Sequence, residues 1–176
     1  MKKIIILLTL IAISSLLTFS CQGERAEKSS AGNSPAEVEP APDFQVITLE
    51  GQEISLSSLS GKVVLINFWA TWCPPCRVEI PDFIQAYSEL KDQGLEILGF
   101  SVDDLSEAEL KDFVSKAEIN YPVALVGKEI VAAFKPGPYI PTSIFIDKKG
   151  NIRYKHVGQL NKKELLRIFG ELNNEF

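Results

Sequence analysis

The sequence predicts an α/β sandwich with a mixed central sheet, opened by an N-terminal β-hairpin. Three observations carry that expectation. Lys62 to Trp69 is a nearly continuous apolar run, as a strand covered on both faces requires. Beyond it, strand-like segments alternate with helical patterns, and the chain finishes in a hairpin followed by a helix.

Taken in order, residues 1–20 have the layout of a secretory signal peptide. Lys2 and Lys3 precede an apolar run from Ile4 to Leu17, which gives way to small or polar residues ending at Ser20. The run is shorter than the ~20 apolar residues that span a bilayer comfortably, so a retained anchor helix is the second choice. Leu16-Leu17-Thr18-Phe19-Ser20-Cys21 resembles a bacterial lipoprotein cleavage site, although Thr18 and Phe19 depart from the usual aliphatic and small residues. Lipidation of Cys21 would also resolve an odd count of three cysteines in an exported chain, leaving two to pair. Residues 21–42 are then the lipidated cysteine and a flexible tether, because prolines, glycines, serines and charges with Val38 as the only sizeable aliphatic residue cannot bury enough surface to fold. A domain spanning 43–176 follows.

In that domain Phe44, Val46 and Thr48 alternate with polar or smaller neighbours, and Glu50-Gly51-Gln52 turns the chain into Glu53-Ile54-Ser55. The central strand at 62–69 delivers the chain to Cys73. A helix is expected from Pro74 to Gln93, with Val78, Phe83, Ile84, Tyr87 and Leu90 on its buried side, Pro81 kinking it and Gly94 ending it. Leu95 to Val102 is a second buried strand. Ser106 and Glu109 form a capping pattern that opens a helix to about Glu118. Val123–Val126 reads as a short strand, Lys128–Phe134 as a short helix, and Thr142–Asp147 with Ile152–Val157 as a hairpin. Asn161 and Glu164 cap a last helix ending near Leu172.

The 176 residues are 45% apolar, enough for one domain and too few for a second catalytic one. The formal charge is −5, and without residues 1–20 there remain 16 basic against 23 acidic residues. Phosphate binding draws on clustered Lys and Arg, so this balance argues against a nucleic-acid partner.

The chemistry concentrates in Trp72-Cys-Pro-Pro-Cys76. Two cysteines three apart at a strand-to-helix junction suit reversible disulfide chemistry. Unpaired N–H groups and the helix dipole favour a thiolate on Cys73, the expected nucleophile, and Cys76 lies one turn in, placed to attack a mixed disulfide. Pro74 and Pro75 cost the first turn little, since its N–H groups have no intrahelical partner. A zinc site would need two further ligands, for which only Cys21 and His156 remain as soft candidates. A structural disulfide closing so small a loop would constrain the unfolded chain little. A peroxidase of the peroxiredoxin type wants Thr or Ser three residues before its cysteine, where Ala70 precedes Cys73. No metal and no cofactor beyond the Cys73–Cys76 disulfide is expected, and His156 reads as a surface residue.

Gly61 to Pro81, which contains this motif, resembles the core of the ResA/TlpA group of thioredoxin-like proteins, as do Ala41-Pro42-Asp43-Phe44 and Ile140-Pro141-Thr142. The resemblance covers roughly Ala41 to the C-terminus. It implies a thioredoxin-like sandwich with an extra βα insertion, and Pro141 as a cis-proline that turns the Ile140 backbone toward an extended substrate. It makes Trp72 part of an apolar docking face and Pro81 the helix-kinking proline. Asn67 stands where general thioredoxins carry a buried acid, and Asn cannot move a proton. The resemblance points instead to an acid after the next strand, Asp104, with Asp103 as the register alternative.

The implied activity is thiol-disulfide exchange, most naturally reduction of disulfides in exported proteins such as apocytochrome c. It would occur on the extracytoplasmic face of a bacterial membrane, with a membrane partner supplying electrons. A disulfide-forming oxidase and a redox-inert peptide-binding lipoprotein are the rival readings.

Overall fold

The structure is a computed structural model that describes residues 39–175. The expected leader, Cys21 and most of the tether lie outside the described residues.

Seven consecutive buried residues make β4 (Val63–Trp69) the axis of the domain. Its odd positions, Val63, Leu65 and Trp69, join one hydrophobic core, and its even positions, Val64, Ile66 and Phe68, join a second on the other face. This two-sided alternation is why the run reads as continuously apolar. β5 (Leu95–Ser101) pairs with β4 in parallel, and β7 (Thr142–Ile146) pairs with it antiparallel. With β1 (Glu39–Pro40), β6 (Val123–Leu125) and β8 (Asn151–Val157) the sheet runs β1-β8-β7-β4-β5-β6 and is mixed, as expected. β2 (Gln45–Ile47) and β3 (Glu53–Ser55) form the expected hairpin, which stands as a separate two-stranded sheet.

Three helices pack on the first core: α1 (Pro74–Leu90), α2 (Glu107–Lys116) and α4 (Lys162–Asn174). The hairpin and α3 (Lys128–Phe134) cover the second, where the rings of Phe44, Phe68, Phe100 and Phe134 meet edge-on or tilted with centroids 5.5–6.4 Å apart. β6 and its flanking helices supply the additional units between β5 and β7. Ser106 and Glu109 form a reciprocal capping box on α2, and Asn161 accepts from the Glu164 N–H at the start of α4. Gly94, at φ 98°, ends the last turn after α1 in a conformation that side chains resist. Gly99 is needed for another reason, because a Cβ there would come within 3.0 Å of Trp69 Nε1.

One boundary and one helix face differ from expectation. Glu39 and Pro40 pair with Ile152 and Asn151, and the Ala41 N–H bonds the Gly150 carbonyl at 2.9 Å, so the folded domain begins before Asp43. A two-residue strand carries no periodicity to recognise in a sequence. On α1 the inward residues are Cys76, Glu79, Ile80, Phe83, Ala86 and Leu90, whereas Val78 is 59% exposed. The helical spacing i, i+3, i+4, i+7 starting from Cys76 sets that face, and Val78 falls outside it despite its apolarity.

Candidate active site

β4 ends at Trp69, and the chain turns through Ala70, Thr71 and Trp72 before α1 begins. Cys73 is the N-cap of α1, its Sγ accepting from the Cys76 N–H at 3.4 Å, and no acidic residue occupies the first turn. Cys73 and Cys76 are joined as a disulfide with Cα atoms 5.3 Å apart. Cys73 is 3% exposed and Cys76 fully buried, so Cys73 is the more accessible of the two sulfurs.

The Ile140–Pro141 bond is cis, and the Ile140 carbonyl oxygen lies 3.8 Å from Cys73 Sγ. The loop is tied down by the Thr142 hydroxyl, which donates to the Tyr139 carbonyl at 2.8 Å. Trp72 and Tyr139, on the two segments that meet here, are 67% and 69% exposed. Ile140 is half-buried and packs against both cores. Cys73 Sγ is therefore bordered by a backbone carbonyl, with exposed aromatic surface on the adjoining segments.

The two aspartates after β5 have opposite environments. Asp103 is buried, and its carboxylate accepts from the Thr71 N–H (3.0 and 3.1 Å), the Thr71 hydroxyl (2.8 Å) and the Ser101 hydroxyl (2.7 Å). It anchors the turn that presents Trp72 and Cys73. Asp104 is exposed and, among the described residues, makes no hydrogen bond or ion pair. Successive residues leaving a strand face opposite ways, and the inward position falls to Asp103.

A carboxyl that the sequence did not single out lies deeper. Glu79, three residues after Cys76 on the same buried face of α1, has no solvent exposure. Its Oε1 accepts from Asn67 Nδ2 and its Oε2 from the Leu160 N–H, both at 2.9 Å. Burial pushes its pKa up to about 8, against the pull of these two hydrogen bonds. Asn67, on β4, also bonds the Ser143 hydroxyl at 3.1 Å. The acid missing from position 67 is thus supplied from the helix, and Asn67 holds it. The signal in the sequence was the spacing from Cys76, which puts position 79 inward.

His156, half-buried on β8, lies 3.1 Å from the Gln159 carbonyl through Nε2. Among the described residues no group of three or more His, Cys, Asp or Glu side chains is arranged to hold a metal, and no helix is long and apolar enough to cross a membrane.

The chain is similar to known proteins in sequence and in fold. The model of the AhpC/TSA family matches residues 38–155. The thiol-disulfide oxidoreductase ResA of Bacillus cereus is 40% identical over 126 residues, covering 71% of this chain and 72% of its own. A thiol:disulfide interchange protein of the thioredoxin family from Chlorobium tepidum superposes with a TM-score of 0.73 at 35% identity, over 80% of this chain and 100% of that one. A secreted thiol-disulfide isomerase from Corynebacterium glutamicum gives 0.70 at 30% identity, over 76% and 85%. The extent of the family match and the identity to ResA fix the membership: the chain belongs to the AhpC/TSA family, with a thioredoxin-like fold, and is a thiol-disulfide oxidoreductase similar to ResA.

Proposed function

We propose that the protein reduces disulfides of exported proteins on the extracytoplasmic face of a bacterial membrane. The observation that carries this reading is the carboxyl of Glu79 behind Cys76. A strong disulfide oxidant holds its reduced form as a stabilised thiolate. Here a buried carboxyl that ionises near pH 8 opposes a second negative charge beside it, which favours the thiol and disulfide forms over a thiolate at Cys76. That bias suits a reductant.

In the reducing direction the Cys73 thiolate attacks one sulfur of a client disulfide, and the other client sulfur leaves as a thiolate. Cys76 then gives its proton to the ionised Glu79 and attacks Cys73 Sγ. The client cysteine departs as a second thiolate, and the Cys73–Cys76 disulfide has formed at a cost of two electrons to the enzyme. Burial raises the Glu79 carboxyl to about 8, so near neutral pH it can both take up and return such a proton. Regeneration needs a dithiol donor, which the reading assigns to a membrane protein. Attachment through Cys21 would keep the domain within its reach.

The experiment is the reduction potential of the Cys73–Cys76 pair. A value near roughly −270 mV supports the reductase, and one near about −120 mV replaces it with an oxidase. Replacing Cys21 with Ser should release the protein from membranes; continued attachment would mean that the apolar leader is itself the anchor.

A further inference from the structure

Beyond the cysteines, α1 and α2 face each other across a cleft of about 430 Å3, lined by Arg77, Ile80, Pro81, Phe113, Lys116 and Ala117. Its walls are largely apolar. Ile80 belongs to the buried core, and the Phe113 ring packs on Trp69 with centroids 5.7 Å apart, so the cleft is backed by the residue that ends β4 below the active-site turn. Two cations stand over these walls.

Arg77 directly follows Cys76 and is exposed. Of the three arginines among the described residues, Arg153 is held by Asp147 and Glu175, and Arg167 by Glu164 and Glu171. Arg77 has no such partner among the described residues. Lys116 pairs with Asp112 at 2.6 Å within its own helix, with both side chains mostly exposed. A pair of that kind contributes little and exchanges partners readily. In a chain with 23 acidic and 18 basic residues, a cleft with apolar walls and two cations on its rim is a local reversal of charge.

The geometry points to this cleft as a second docking subsite for protein clients, one that takes an apolar side chain flanked by a carboxylate while the client cysteine engages Cys73. The inference rests on the reading of the protein as an oxidoreductase of protein disulfides and names which clients it prefers. From the N-cap at Cys73 to Ile80 is about 10 Å along the helix axis. An extended peptide covers that distance in roughly three residues. The preferred client therefore carries an apolar–acidic pair about three residues from its reactive cysteine.

Two peptides test this, identical except for Leu-Glu or Leu-Lys placed three residues from a single cysteine. Each is supplied as a mixed disulfide with 2-mercaptoethanol, and second-order exchange rates with the reduced protein are compared as a ratio. The wild type should favour the Leu-Glu peptide by about fivefold at low salt. The preference should shrink toward unity at high ionic strength, where surface charges are screened. Arg77→Glu and Lys116→Glu together should invert it, making the Leu-Lys peptide the faster substrate, an outcome that impaired folding or a slower dithiol cannot produce. Equal wild-type rates, or a preference that survives reversal of both charges, would overturn the subsite while leaving the oxidoreductase intact. Exchange with neither peptide would overturn the oxidoreductase reading, and the subsite with it.

Discussion

The side-chain amide of Asn67 donates to the carboxylate of Glu79 across 2.9 Å of fully buried interior, joining the central strand to the helix that carries the cysteines. An acid on the helix and an amide on the strand replace the buried acid on the strand that general thioredoxins use. The carboxyl thereby sits on the same buried helical face as Cys76.

Replacing Glu79 with Gln should preserve the volume and the Asn67 contact while removing the titration. Thiol exchange in the wild type should rise as the pH passes through about 8, and in the variant that inflection should vanish with turnover reduced about a hundredfold. Stopped-flow exchange measured from pH 5 to 10 checks both.

The same residue shapes stability. Its folded value of about 8 lies above the usual 4.5, so between these values the unfolded chain releases a proton that the folded chain keeps. Stability should therefore fall as the pH rises from about 4.5 to 8, by an amount on the order of a few kcal/mol. Glu79→Gln should flatten that slope in urea titrations; an unchanged slope would mean that Glu79 ionises freely in the folded protein.

Asp103 and Asp104 should separate cleanly. Asp103→Ala leaves the Thr71 N–H without its acceptor and should cost about 1–3 kcal/mol, while loosening the turn before Cys73. Asp104→Ala should stay within about 0.5 kcal/mol. Equal denaturation midpoints for the two variants would contradict the anchoring role given to Asp103.

The two cysteines should differ as traps. Cys76→Ser should accumulate mixed disulfides with clients, because attack from Cys73 proceeds and resolution does not; Cys73→Ser should trap few and lose activity. Non-reducing gels after incubation with a disulfide-bonded client distinguish them, and turnover by Cys73→Ser would reverse the assignment.

A chain beginning at Glu39 should be more stable than one beginning at Asp43. The shorter chain loses the β1–β8 pairing and the Ala41–Gly150 bond, at about 1–2 kcal/mol. Coincident denaturation curves would show that β1 adds nothing.

Where a structural rule acts within a short window, the sequence disclosed it. The apolar run of β4, the Ser106–Glu109 capping box, the Asn161 cap and the cis-Pro141 loop all appear where local pattern or family resemblance put them. What stayed hidden depended on a choice between adjacent residues. Val78 reads as inward on its apolarity, yet the helix face anchored by Cys76 selects Glu79, a residue whose charge argues for the outside until Asn67 and Leu160 receive it. The Asp103/Asp104 register turned on one residue of strand length. Likewise, β1 exists only through its partner 112 or so positions away in β8, and nothing within Glu39–Pro40 announces that pairing.

The contacts that complete the site are distant along the chain: Cys73 meets Ile140 across 67 residues, and Glu79 meets Leu160 across 81. During synthesis from the N-terminus, both thiols exist before the loop that borders them and before the amide that steadies their acid. A nascent chain shorter than about 160 residues therefore displays an unshielded dithiol without the surroundings that tune it, and is open to mispairing with any disulfide nearby. Selectivity arrives only with the final hairpin and the segment that leads into the last helix, so it is discrimination among disulfides, and not exchange as such, that marks completion of the domain.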